Sequence, residues 1–220
     1  MMRLLRDQGL AIAMFGIFAV TLGGLMLTGW SNYNEEQAEH GETAVALDEY
    51  LGTPAFGEAV FENWESEFLQ MGAYVLLTAF LFSRGSSESK NPDGDNPADA
   101  DPRQADKRGN VPWPVRTGGI ALALYENSLT IALFALFIAS FALHAATGAG
   151  AYSQEQIAHG GQAVSVVGYL ATSRFWFESF QNWQSEFLAV GTLIVFSIFL
   201  RQRGSPESKP VAASHAETGA

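Results

Sequence analysis

Four apolar stretches decide what this 220-residue chain can fold into. They are residues 10–28 (LAIAMFGIFAVTLGGLMLT), 68–83 (FLQMGAYVLLTAFLFS), 129–147 (LTIALFALFIASFALHAAT) and 187–200 (FLAVGTLIVFSIFL). The first and third have the roughly 20-residue length that crosses a hydrocarbon core. The second and fourth reach it only by recruiting the aromatic segments before them, from about Phe61 and Phe180. The polar remainder is too short to wrap four such helices as the core of a water-soluble protein. The expectation is therefore an all-α integral membrane protein with four transmembrane helices. Arg3 and Arg6 ahead of the first stretch have the look of a signal peptide. No small-x-small cleavage site follows, however, and the stretch has an internal copy that cannot be a signal, so it reads as a retained helix.

That copy belongs to a tandem duplication. A constant shift of 119 residues lays 7–90 over 126–209 without a gap, with roughly two positions in five identical. The matches include Tyr33/Tyr152, Glu36/Glu155, His40/His159, Gly41/Gly160, Tyr50/Tyr169, Asn63/Asn182, Trp64/Trp183, Ser66/Ser185 and Glu67/Glu186. The ends RGSSESK (84–90) and RGSPESK (203–209) match too. Each copy holds two spans, an even number, so both enter the membrane in the same direction. The expected symmetry is a pseudo-two-fold along the membrane normal.

Charge sets the orientation. Eleven of the 12 Lys and Arg lie in the N-terminus, the middle linker or the C-tail, and only Arg174 lies between paired spans. The positive-inside rule puts both termini and the linker in the cytoplasm and the loops 30–60 and 149–180 outside. The resulting organisation is repeat 1 (1–85), a disordered cytoplasmic linker (86–116) rich in Pro, Asp, Asn and Ala, repeat 2 (117–204) and a disordered tail (205–220). Net charge −11 excludes a nucleic-acid partner, and no polybasic lipid motif is present. The absence of cysteine excludes thiolate metal sites and thiol nucleophiles.

The outer loops carry the candidate chemistry. EEQAEHGETAVALDEYL (35–51) and QEQIAHGGQAVSVVGYL (154–170) read as short outer-face helices broken at Gly41 and Gly160. Glu36 and His40 share a helical face, as do Glu155 and His159. FENWESEF and FQNWQSEF then open the second helix of each pair, with Trp64 and Trp183 as interface anchors. Asn63 with Glu67, and Asn182 with Glu186, are four apart and are expected to turn inward, because a carboxylate facing lipid is costly. Ser66 and Ser185 stand beside those acids. His40, His159, Glu67 and Glu186 are the candidate ligands should the cluster hold a metal, although no metal or other cofactor is implied by spacing alone. The alternative is a network in which the histidines hydrogen-bond Glu67 or Glu186 and pin the outer loops.

His144 lies in the third stretch, where the first copy has Leu25. Bis-His haem ligation needs a second histidine at similar depth, and no other stretch has one, so an interhelical hydrogen bond is expected. No Gly-rich phosphate loop, H-E-x-x-H or G-x-S-x-G motif occurs, so no catalytic residue is assigned.

The phrases N-W-x-S-E-F (Asn63, Trp64, Ser66, Glu67; Asn182, Trp183, Ser185, Glu186), Y-[NS]-x-E-Q-x-x-H-G and R-G-S-x-E-S-K resemble an uncharacterised family of small bacterial membrane proteins. The resemblance implies four spans in a bacterial inner membrane and supplies no activity. Three roles stay open. One is a non-enzymatic, oligomeric cation or proton pathway or other transport-related protein. The second is a metal-dependent membrane enzyme using the His/Glu cluster. The third is a structural subunit of a larger membrane complex.

Overall fold

The computed structural model describes residues 2–106 and 109–219, with side chains from Arg6 onward. Lys107 and Arg108 of the linker, and the Arg3 side chain, lie outside the described residues. All regular structure among the described residues is helical: α1 (Met2–Glu39), α2 (Leu47–Tyr50), α3 (Pro54–Thr78), α4 (Trp113–Thr117), α5 (Gly119–Glu126), α6 (Ser128–Ala158), α7 (Val166–Leu170) and α8 (Ser173–Phe199). Two helices are long and apolar enough to cross a membrane, Arg6–Glu39 of α1 and Ser128–Ala158. Both overrun their apolar stretches by about three turns, so the polar phrases after 28 and 147 continue the helix. α3 and α8 carry acids through their first halves, and α3 stops at Thr78, short of the expected end at 83.

The chain forms two compact units. The first comprises Met1–Phe61 and Leu143–Thr172. Here α1 and α6 end in the same way. Gly41 N–H donates to Ala38 O and Glu42 N–H to Gln37 O; Gly160 N–H donates to Ile157 O and Gly161 N–H to Gln156 O. These paired bonds make a Schellman cap, which needs a left-handed residue; Gly41 (φ 76) and Gly160 (φ 77) supply it. The chain then turns back along its own helix. Val45 N–H donates to Asn34 Oδ1 (2.8 Å) and Val164 N–H to Ser153 Oγ (2.9 Å), while Trp30 Nε1 donates to Val45 O (2.8 Å). α2 and α7 follow, each delivering one buried tyrosine, Tyr50 and Tyr169. Tyr50 lies against Gly29 and tilts over Tyr33 with ring centroids 5.4 Å apart. Tyr169 lies against Gly148 and tilts over Tyr152 at 5.7 Å. A side chain at either glycine would occupy the ring's place, so small residues in α1 and α6 are what admit the tyrosines. Burial of Tyr50 beside Glu36 holds its phenol above the ordinary range.

The second unit comprises Glu62–Ala142 and Ser173–Ala220. Phe141 meets Phe175 edge-on at 5.3 Å, Phe137 meets Trp183 at 6.4 Å, and Gly72 lets Phe134 approach α3. The matching R-G-S-x-E-S-K phrases form matching turns. Ser89 Oγ accepts from Ser83 N–H, and Ser208 Oγ from Gln202 N–H, both at 2.9 Å. Gly85 (φ 88) and Gly204 (φ 84) take the left-handed corner. Linker and tail, which composition marks as disordered, hydrogen-bond to each other and to α8 in this unit. Ser86 Oγ meets Ser197 Oγ at 2.7 Å, and Gly219 N–H donates to Ser86 O at 2.9 Å. Lys209, 1% exposed, gives its ammonium protons to Ser214 O, His215 O and Glu217 O. Burial, then Arg201, push the Lys209 ammonium below its ordinary value.

Candidate functional site

Helical phase decides which of the expected site residues turn inward. On α3, Glu65 and Ser66 are buried, whereas Asn63 and Glu67 are exposed. Successive helical residues turn about 100°, so on α3 the buried positions are 65 and 66, with 63 and 67 at the surface of the single chain. On α8, Asn182 and Glu186 are half-buried and Ser185 is exposed. Ser66 and Ser185 donate back to Asn63 O and Asn182 O, both at 2.8 Å, an ordinary helix back-bond rather than chemistry. Trp183, read as an interface anchor, gives its indole N–H to Glu65 Oε1 at 3.2 Å. Asn182 donates to Glu62 Oε1 and to Glu178 O, and Arg174 pairs with Glu178 at 2.8 Å. Glu62, Glu65 and Glu178 thus meet amide, indole and guanidinium donors. Trp64 is half-buried.

In the first unit the outer residues stay at the surface. Glu36, His40, Glu155 and His159 are all exposed. Glu36 accepts from Asn32 Nδ2 at 2.7 Å, and His159 Nδ1 lies 2.8 Å from Glu155 O. The two histidine rings meet edge to face with centroids 6.1 Å apart.

A different polar set is buried in this unit. His144 on α6 and Tyr169 on α7 are both 0% exposed. The Tyr169 hydroxyl donates to Glu58 Oε1 of α3 at 3.1 Å, and a ring nitrogen of His144 comes within 4.8 Å of a Glu58 carboxylate oxygen. Local sequence explains each placement. Gly148, one turn after His144, makes the slot for the Tyr169 ring. Gly57 lies against the Thr147 side chain and Gly150 against Pro54, so α3 begins close to α6 and brings Glu58 with it. A carboxyl, an imidazole and a phenol side by side can pass a proton, and the first two are also an oxygen–nitrogen donor pair for a transition ion.

Motif matching overlooks this set because it has no copy. Glu58 corresponds to Phe177 and His144 to Leu25; only the tyrosine is shared. The signal that finds it is the opposite of a motif: positions where the aligned phrases part, one ionisable and the other apolar.

The described residues thus form an all-helical protein in which two helices are long and apolar enough to cross a membrane. The chain belongs to the family described as Domain of unknown function (DUF6766), whose model matches residues 1–220. No curated protein and no solved structure matches the chain.

Proposed function

We propose that the protein is a four-span membrane protein of the bacterial inner membrane, built from two like-oriented helix hairpins, that conducts protons through Glu58, His144 and Tyr169. The four spans are α1, α3, α6 and α8, with both termini in the cytoplasm. The 119-residue offset between equivalent helix starts supports two copies of one design: Leu47 and Val166, then Pro54 and Ser173. The distribution of Lys and Arg supports the orientation. Neither bears on what the protein does.

The observation that carries the function is the fully buried His144 beside Glu58. An ionisable side chain within an apolar helix run is expensive to keep and marks a pathway by default. Imidazole accepts a proton on one ring nitrogen while releasing one from the other, and a neighbouring carboxylate takes it up. The Tyr169 hydroxyl, donating to Glu58 Oε1, steadies the carboxylate beside the imidazole. One chain encloses little room, so the conducting form is an oligomer, and the bare apolar surface of α1 suits such a contact: none of residues 10–28 is buried.

Proton flux tests this. Purified protein in liposomes with an internal pH dye and an imposed pH gradient is compared with protein-free liposomes. Wild type is expected to collapse the gradient, and Glu58→Gln and His144→Leu to slow it about tenfold or more, the scale of losing a proton-transfer group. Wild-type flux at the protein-free rate would sink the reading and leave a structural role.

A further inference from the structure

The exposed ends of α1 and α6 carry a second arrangement, independent of the buried set. We propose that His40 and His159 together bind one divalent transition-metal ion of the zinc type.

The backbone argument comes first. Both histidines occupy the last half-helical position before a Schellman glycine, Gly41 or Gly160, so the caps that fix the glycines fix the histidines too. His40 N–H and His159 N–H still donate into their helices, to Glu36 O and Glu155 O at 3.2 Å. Each imidazole therefore leaves from the negative end of a helix dipole, and the fields of two such ends add at the point between them. A cation is favoured there before any side chain is counted.

The side chains then select the cation. The two ring centroids are 6.1 Å apart. Imidazoles sharing one ion through nitrogens at about 2.0–2.1 Å hold their centroids roughly 5–6 Å apart, so the rings reach a common ion by turning about χ2. Both are exposed, and with His159 held by its contact to the Glu155 carbonyl, His40 is the ring that turns. The His159 tautomer is already chosen. Its Nδ1 faces the Glu155 carbonyl at 2.8 Å, and a carbonyl only accepts, so Nδ1 carries the hydrogen and Nε2 is the nitrogen left to bind a metal. That second-sphere bond is what metal-binding histidines ordinarily have. Glu36 and Glu155 stand one turn before the histidines on the same helix faces and complete the charge, with water in the remaining positions. Imidazole donors favour zinc, nickel, cobalt or copper over magnesium or calcium.

The test uses the full-length protein in detergent, purified without a histidine tag. Zinc is titrated calorimetrically, and cobalt(II) is followed by its visible absorption. One zinc per chain is expected. His40→Ala and His159→Ala are each expected to weaken it at least tenfold, and the double variant to abolish it. His215→Ala, in the tail, is the matched control and should bind as wild type does. Helical circular dichroism checks that the variants fold. Zinc bound equally by wild type and the double variant would overturn the proposal, as would no saturation up to ~1 mM. A cobalt spectrum of oxygen ligation alone would overturn it too.

Discussion

Gly148 shows how much one missing methyl group decides. A Cβ there would stand 2.6 Å from Tyr169 Cε1 and 2.7 Å from its hydroxyl oxygen. Gly148→Ala must push the ring out of its slot, and with it the bond to Glu58. Thermal unfolding should show a loss of about 1–3 kcal/mol, the usual cost of overpacking, while Gly23→Ala, with nothing within 4 Å, should stay near wild type. An unchanged melting temperature for Gly148→Ala would mean the tyrosine slot is loose. Side-chain roles were only partly legible in the sequence. That Gly41 and Gly160 end helices is readable from their type. Which of Asn63, Glu65, Ser66 and Glu67 turns inward is not, because adjacent polar residues cover every phase of the helix and only packing chooses among them.

At the scale of elements, two recurring phrases acquire local mechanical meaning. E-Q-x-x-H-G ends a helix, and R-G-S-x-E-S-K closes the turn beyond the next one. Ser89→Ala and Ser208→Ala should each cost about 1 kcal/mol of turn stability by orphaning a backbone donor. Amide exchange at Ser83 and Gln202 should quicken accordingly; unchanged protection at those amides would remove the serines from that role. The same turns predict a response to acid. The Arg84 hydrogen bond and charge hold the Asp93 carboxyl below its ordinary range. A depressed carboxyl stabilises the folded form above its unfolded value, and that contribution disappears as pH falls through the folded value. Exchange in 84–93 should therefore rise on acidification below the usual carboxylate range, and Asp93→Asn should show the loosened state at neutral pH. Both residues are exposed, so the effect is small and salt-sensitive. Composition alone misses these turns, since Ser, Gly, Asp and Pro serve loose linkers and tight turns alike. What separates the two is a set of bonds to residues more than a hundred positions away, such as Ser86 with Ser197.

For the whole molecule, the all-helical class and the two long apolar helices were legible, because hydropathy over 20 residues needs no knowledge of contacts. The four-span topology is testable directly, since the chain has no cysteine to mask a label. Single cysteines at Asp48 and Val167 should react with an impermeant maleimide on intact cells, and cysteines at Asp95 and Ser214 only after permeabilisation. Labelling of all four from one side would refute the topology. The buried polar set has a consequence of its own. A hairpin pairing with an identical twin must carry every ionisable group twice or not at all. In the proposed two-hairpin architecture, a chain holding both hairpins covalently can alter one and leave the other alone, as Glu58 opposite Phe177 and His144 opposite Leu25 illustrate. That architecture would make an unduplicated acid–imidazole pair available, and with it a direction that two interchangeable halves would never distinguish.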